Sequence, residues 1–146
     1  MGMLAGIRLM VLSAFAAFVM VLPLHAEDAP PAPDAWQTVI SSQIRALRIN
    51  DAATALSYAE ATFQQRYPDA EQFVLMITQT GYKPIVTSRS HSFGDYRIVA
   101  PDDVFQQVFL VDEDQSLYQA IYELKMEGAG WRVAGVQLAR QPGLGV

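Results

Sequence analysis

The protein has 146 residues, no cysteine and a formal net charge of −5 at neutral pH. That length suits one domain and is short for two, and the missing cysteines exclude disulfides, thiolate metal sites and a cysteine nucleophile. The acidic balance is a poor match for DNA or RNA, whose binding depends on clustered Lys and Arg neutralising phosphates.

Arg8 is followed by an uncharged run from Leu9 to Leu24, and Leu24-His25-Ala26 precedes the acidic Glu27-Asp28. A basic start, a short apolar centre and a small residue before a polar break form the pattern of a secretory signal peptide over 1–26, cleaved after Ala26. A retained anchor is the competing reading, but it needs roughly 20 apolar residues to span a bilayer, and this run falls short with Pro23 near its end. The expected location is periplasmic or secreted, with the membrane touched only during export. Residues 27–33 read Glu-Asp-Ala-Pro-Pro-Ala-Pro, a spacer composition. The folded domain is expected over 34–140, followed by a mobile tail at 141–146.

Asp34 with Gln37 is a capping-box pattern, after which Trp36, Ile40, Ile44 and Leu47 recur at helical spacing and Val39 widens the stripe. Asn50 or Asp51 can cap a second helix that carries Ala52, Ala55, Leu56, Ala59 and Phe63 on one side and ends before Pro68. Asp69 with Gln72 opens a third, with Phe73, Met76 and Ile77 on its stripe and Gly81 at its left-handed stop. Tyr82 to Phe93, with Pro84 near its start, predicts an edge strand. Gly94-Asp95 then offers a turn into Tyr96 to Val99.

Three strand-like runs occupy Asp103 to Arg140. Pairing Val111 with Ser116 across an acidic turn, and Met126 with Trp131 across a second, gathers Phe105, Phe109, Tyr118, Tyr122, Leu124, Met126, Trp131 and Val133 on one face. The other face then mixes Val104, Val108, Leu110, Leu117, Ile121, Val136 and Leu138 with Gln106, Gln119, Glu123, Lys125 and Arg132. Because burying a large apolar side chain stabilises by about 1.5 to 3 kcal/mol, the aromatic face is the one the helices should cover. Helices first and a meander afterwards predict an α+β fold, three N-terminal helices packed on one face of a curved antiparallel sheet.

These registers place Gln107, Ala120 and Gln137 in one row across the aromatic face. A buried amide without a partner costs about 1 to 3 kcal/mol, so the row is either wet at the rim or lines a pocket in which Gln107, Tyr118, Tyr122, Trp131 and Gln137 bind a ligand. His91 stands between Ser90 and Ser92 near Asp95, but neighbours along a strand point to opposite faces, which favours a solvent-facing edge histidine over a catalytic one. Asp112, Asp114, Ser116 and Glu123 echo the spacing of a calcium loop, yet Leu117 stands where glycine is needed and a strand follows. The apolar strip of the second face suggests a homodimer through the outer sheet surface.

Asn50-Asp51-Ala52-Ala53, Gln72-Phe73 through Met76, Gly81-Tyr82, Gln107-Val108, Ala120-Ile121-Tyr122-Glu123-Leu124 and Gly130-Trp131-Arg132-Val133 occur in an order that resembles the family labelled domain of unknown function 4864. The acidic turn departs from the family pattern, with Asp114-Gln115 where glycine is usual, as does Val136, near which a cysteine is common. The resemblance implies a secreted bacterial protein with the cone-shaped α+β fold of nuclear-transport-factor-like and cystatin-like proteins. It supplies no catalytic motif, and relatives of that fold include isomerases, dehydratases and binding modules.

No acid falls on the expected aromatic face to serve as a base beside Tyr118 or Tyr122. The first expectation is therefore an exported non-enzymatic module, without cofactor or metal, that binds a small apolar ligand or a protein in the mouth of its cone. The alternative is a small isomerase-, dehydratase- or hydrolase-like enzyme using His91 or Asp95 with a tyrosine. A structural dimer with a filled core is a third reading.

Overall fold

The computed structural model describes residues 29–142. The expected signal peptide, the first residues of the spacer and the end of the tail lie outside the described residues. The first helix, α1 (Pro33–Arg48), opens one residue before the expected cap. Ala32 is the N-cap and Pro33 takes the first helical position, where its fixed φ is already helical and its missing N–H costs nothing. Asp34 therefore lies in the first turn and not at the cap, where its charge favours the positive helix pole. Trp36, Ile40, Ile44 and Leu47 are buried as the stripe predicts, and Gln43 is buried with them. The helix closes with Asn50 at φ 58° and Asp51 N–H donating to the Ala46 carbonyl at 2.9 Å, a turn in which asparagine tolerates the left-handed conformation.

Asp51 caps α2 (Ala52–Ser57) by accepting from Thr54 N–H at 3.2 Å. The single second helix expected up to Pro68 is two helices, because the backbone between them pairs with the sheet. Glu60 N–H donates to Val133 O and Val133 N–H to Tyr58 O, at 3.0 and 2.8 Å. The chain then resumes as α3 (Ala61–Arg66), whose first N–H is accepted by the Glu127 carboxylate at 3.1 Å. Asp69 caps α4 (Ala70–Gln79), and Gly81 takes φ 91° beyond its end. Lys83–Thr87 forms a short α5 and not the start of a strand, with Pro84 in its first turn. The described residues thus hold five helical segments where three were expected.

The fold is α+β: these helices pack with one antiparallel sheet of order β1-β2-β3-β4, formed by Ser90–Ala100, Asp103–Val111, Leu117–Glu127 and Gly130–Arg140. Gly94-Asp95 is a bulge within β1 and not a turn between two strands. A Cβ on Gly94 would overlap the Gln107 amide and the Phe109 ring, so any other residue here would displace those two side chains.

The β2/β3 register departs from expectation by one residue throughout, and the β3/β4 register does so only beyond a bulge. At the β2/β3 turn, Gln115 adopts φ 65° and Asp112 N–H donates to Ser116 O, which draws Ser116 into the loop and pairs Val111 with Leu117. A slip of one residue turns a whole strand over. Val104, Gln106, Val108 and Leu110 therefore face the helices, while Phe105 and Phe109 are 37% and 38% exposed on the outer side. Between β3 and β4, Met126 pairs with Trp131 and Leu124 with Val133 as expected. A bulge at Ala134 then sets Tyr122 opposite Val136 and Ala120 opposite Leu138. The proposed outer apolar strip is thereby dismantled: Val108 and Leu110 are core, and Val136 and Leu138 pack against it.

Gln106 ties the layers together. Its Oε1 accepts from Trp36 Nε1 at 2.8 Å and Gln37 Nε2 at 3.1 Å, while its Nε2 donates to the carbonyls of Gly94, Asp95 and Gln107. Trp36 meets Tyr96 and Trp131 edge to face, with centroids 5.2 and 5.6 Å apart.

Candidate functional site

Between the helices and the sheet lies a cavity of about 300 Å³, at the lower end of the range for small-molecule pockets. Leu47 of α1, Phe73 and Ile77 of α4, and Ile85 of α5 form its buried helical side, and Tyr122 of β3 with Val133 and Val136 of β4 form its sheet side. Phe63 and Arg66 of α3, with Tyr67 at its C-terminal end, add to the lining. Burial runs from exposed Arg66 through half-buried Phe63, Met76 and Tyr82 to Tyr122, which is fully buried. The cavity therefore has a mouth near Arg66 and a floor at Tyr122. Arg66 is the one charged side chain among the described lining residues.

The walls are apolar except at a few positions. Gln43 spends an amide hydrogen on Ala55 O at 3.1 Å. Tyr122 is different: its hydroxyl is closed off from solvent and has no hydrogen-bond partner among the described residues. Burial pushes this phenol far above the ordinary tyrosine range, against a smaller opposing pull from the Arg48 charge. It remains a neutral donor at any physiological pH.

Outside the cavity, Arg48 organises a polar cluster. Its Nη2 donates to Ser88 Oγ at 3.0 Å and to His91 Nδ1 at 3.1 Å, and His91 Nε2 lies 2.8 Å from Ser41 Oγ. A guanidinium has no acceptor, so Nδ1 must be the bare nitrogen and Nε2–H must donate to Ser41. A base activating Ser41 would require the opposite tautomer. Burial, then the charges of Arg48 and Arg45, hold His91 below its usual range and hence neutral. His91 is half-buried and bonded, in contrast to the solvent-facing edge residue expected.

Of the residues singled out from sequence, Tyr122 alone lines the cavity. Trp131 is buried in the core against Trp36. Tyr118 is half-buried beside a separate depression with Lys83, Thr87 and Asp112. Gln107 is half-buried on the outer face, accepting from Asp95 N–H at 3.1 Å, and Gln137 is exposed there. The glutamine row forms on the outer face, because Gln107 and Gln137 both pair with Ile121 and not with Ala120, and Gln106 is the buried amide. Asp95 is exposed, with its backbone held by Gln107 and Gln106. The helical half of the wall was missed. Gln43, a polar residue amid the apolar stripe of α1, was the one signal that a polar group enters that layer.

No curated protein matches the chain. The family described as Domain of unknown function (DUF4864) matches residues 31–146, from just before α1 to the last residue. Its span takes in every helix and strand described above, and the chain belongs to that family.

Proposed function

We propose that the protein is a non-catalytic binding module that takes a small, largely apolar ligand into the cavity between its helices and sheet. The observation that carries this reading is an apolar chamber of about 300 Å³ between the layers, walled by Leu47, Phe73, Ile77, Ile85, Val133 and Val136. Burying a large apolar group in such a chamber stabilises by about 1.5 to 3 kcal/mol. Two features support binding over catalysis: no carboxylate lines the described cavity, and the tautomer of His91 is the wrong one for activating Ser41. Helices over a four-stranded meander suit a nuclear-transport-factor-like cone, and the pattern of residues 1–26 supports export to the periplasm or beyond.

Native mass spectrometry of protein purified from its own compartment tests the reading. A co-purifying small molecule is expected, lost in Met76→Trp, where the indole fills the chamber. Ligand-free protein, or a bound mass unchanged in Met76→Trp, would contradict it.

A further inference from the structure

We infer that His91 is an acid-sensitive latch that holds α5 against the end of α1, so that its protonation loosens this wall of the chamber and speeds the entry of ligand. The part about entry rests on the chamber being a binding site, and the latch itself does not. Ser88 follows α5 directly, and its Oγ donates to Ile85 O at 3.1 Å while accepting from Arg48 Nη2 and Nε at 3.0 and 3.3 Å. The same Nη2 donates to His91 Nδ1 at 3.1 Å. Arg48 ends α1 directly after Leu47, and Leu47 and Ile85 both line the chamber. One guanidinium therefore ties the ends of two wall helices to β1.

This arrangement stands only while Nδ1 is bare. A proton there replaces the acceptor with a second donor and places two cationic groups 3.1 Å apart. Nothing nearby offsets the new charge. Around the ring stand Ser41, Arg45 and Arg48 of α1, Phe93 of β1 with its ring centroid 5.7 Å away, and Leu110 of β2 as the paired residue. Among the described residues no carboxylate lies within ion-pair distance of His91 or Arg48, and the Tyr122 phenol near Arg48 stays neutral. Relief comes from the guanidinium swinging away, which takes it off Ser88 as well. On its other side α5 keeps the bond from Thr87 Oγ1 to Asp112 Oδ1 at 2.6 Å, and Arg89 N–H beyond it keeps Val111 O at 2.7 Å. A helix of five residues has few hydrogen bonds of its own, so it loosens locally while the sheet stays whole.

Hydrogen exchange of the full chain by mass spectrometry, corrected for the intrinsic effect of pH on exchange, reads the latch with no ligand present. From about pH 7.5 to about pH 4.5, protection across residues 83–89 is expected to fall about tenfold while β2 and β3 keep theirs. His91→Asn leaves Arg48 an acceptor that does not titrate, so its protection should hold at both pH values, which also controls for carboxylates such as Asp112. Arg48→Met lacks the donor and should be poorly protected over 83–89 at both. Unchanged protection in the parent, the same fall in His91→Asn, or a loss shared equally by β2 and β3 overturns the latch and leaves the cavity reading standing. The neutral fluorophore N-phenyl-1-naphthylamine then reads entry, expected to be several-fold faster at the lower pH in the parent and not in His91→Asn. Equal entry rates at the two pH values overturn the gating, whereas a fluorophore that binds at neither contradicts the chamber as a binding site and leaves the latch to the exchange result.

Discussion

His91 shows how one side chain can be placed by its neighbours more than by its own strand. Sequence spacing set it among serines on an edge, where it would be wet. The structure instead lays Arg48 from the end of α1 against Nδ1 and Ser41 against Nε2, two partners 43 and 50 residues away that no local pattern reveals. Burial and the flanking Arg48 and Arg45 charges lower its affinity for a proton in the folded state, whereas the unfolded chain titrates near 6.5. The contribution of neutral His91 to stability is therefore fully present above pH 6.5 and is lost as the pH falls from there towards the folded-state value, because the unfolded chain gains the proton first. Urea unfolding midpoints on either side of pH 6.5 should show that loss, and His91→Gln should reduce it. An equal pH dependence in the variant would mean that other groups carry it.

At the scale of elements, the helical stripes were legible because periodicity is local: Trp36 to Leu47 and Phe73 to Ile77 are buried as their spacing requires. Half of the sheet was legible for the same reason, with Tyr122, Leu124, Trp131 and Val133 inward. What escaped was each point where a single residue changes the count. Gln115 in the left-handed region lengthens one turn, Ala134 bulges one strand, and the Tyr58–Glu60 backbone leaves a helix to pair with Val133. None of these has a compositional marker, and each depends on contacts far along the chain. The β2 inversion also hid Gln106, which joins α1 to the β1 bulge. Gln106→Leu leaves the Trp36 indole N–H and the Gly94 carbonyl without this partner. It should cost about 2 to 4 kcal/mol by chemical denaturation, whereas Gln107→Leu on the outer face should cost clearly less.

For the whole molecule, the three departures from expectation act together. Turning β2 over buries Val104, Val108 and Leu110 in the core between the layers. The Ala134 bulge brings Val136 to the cavity wall, and the chain beyond the broken second helix brings Phe63 and Tyr67 there. The cavity is thus a product of irregularities and not of the regular pattern, which is why a site drawn from regular alternation fell on the outer face at Gln107 and Gln137. None of the helices in the described residues is long and apolar enough to cross a membrane. Their apolar faces are directed to the core and to this chamber.

Xenon is the most direct probe of such a space, since it enters dry apolar cavities of this size without needing a headgroup. Crystals pressurised with xenon should show it seated between Ile77, Ile85 and Val136 above the Tyr122 ring. Xenon absent from that position, or found instead against Phe105 and Phe109 on the outer sheet face, would contradict the account.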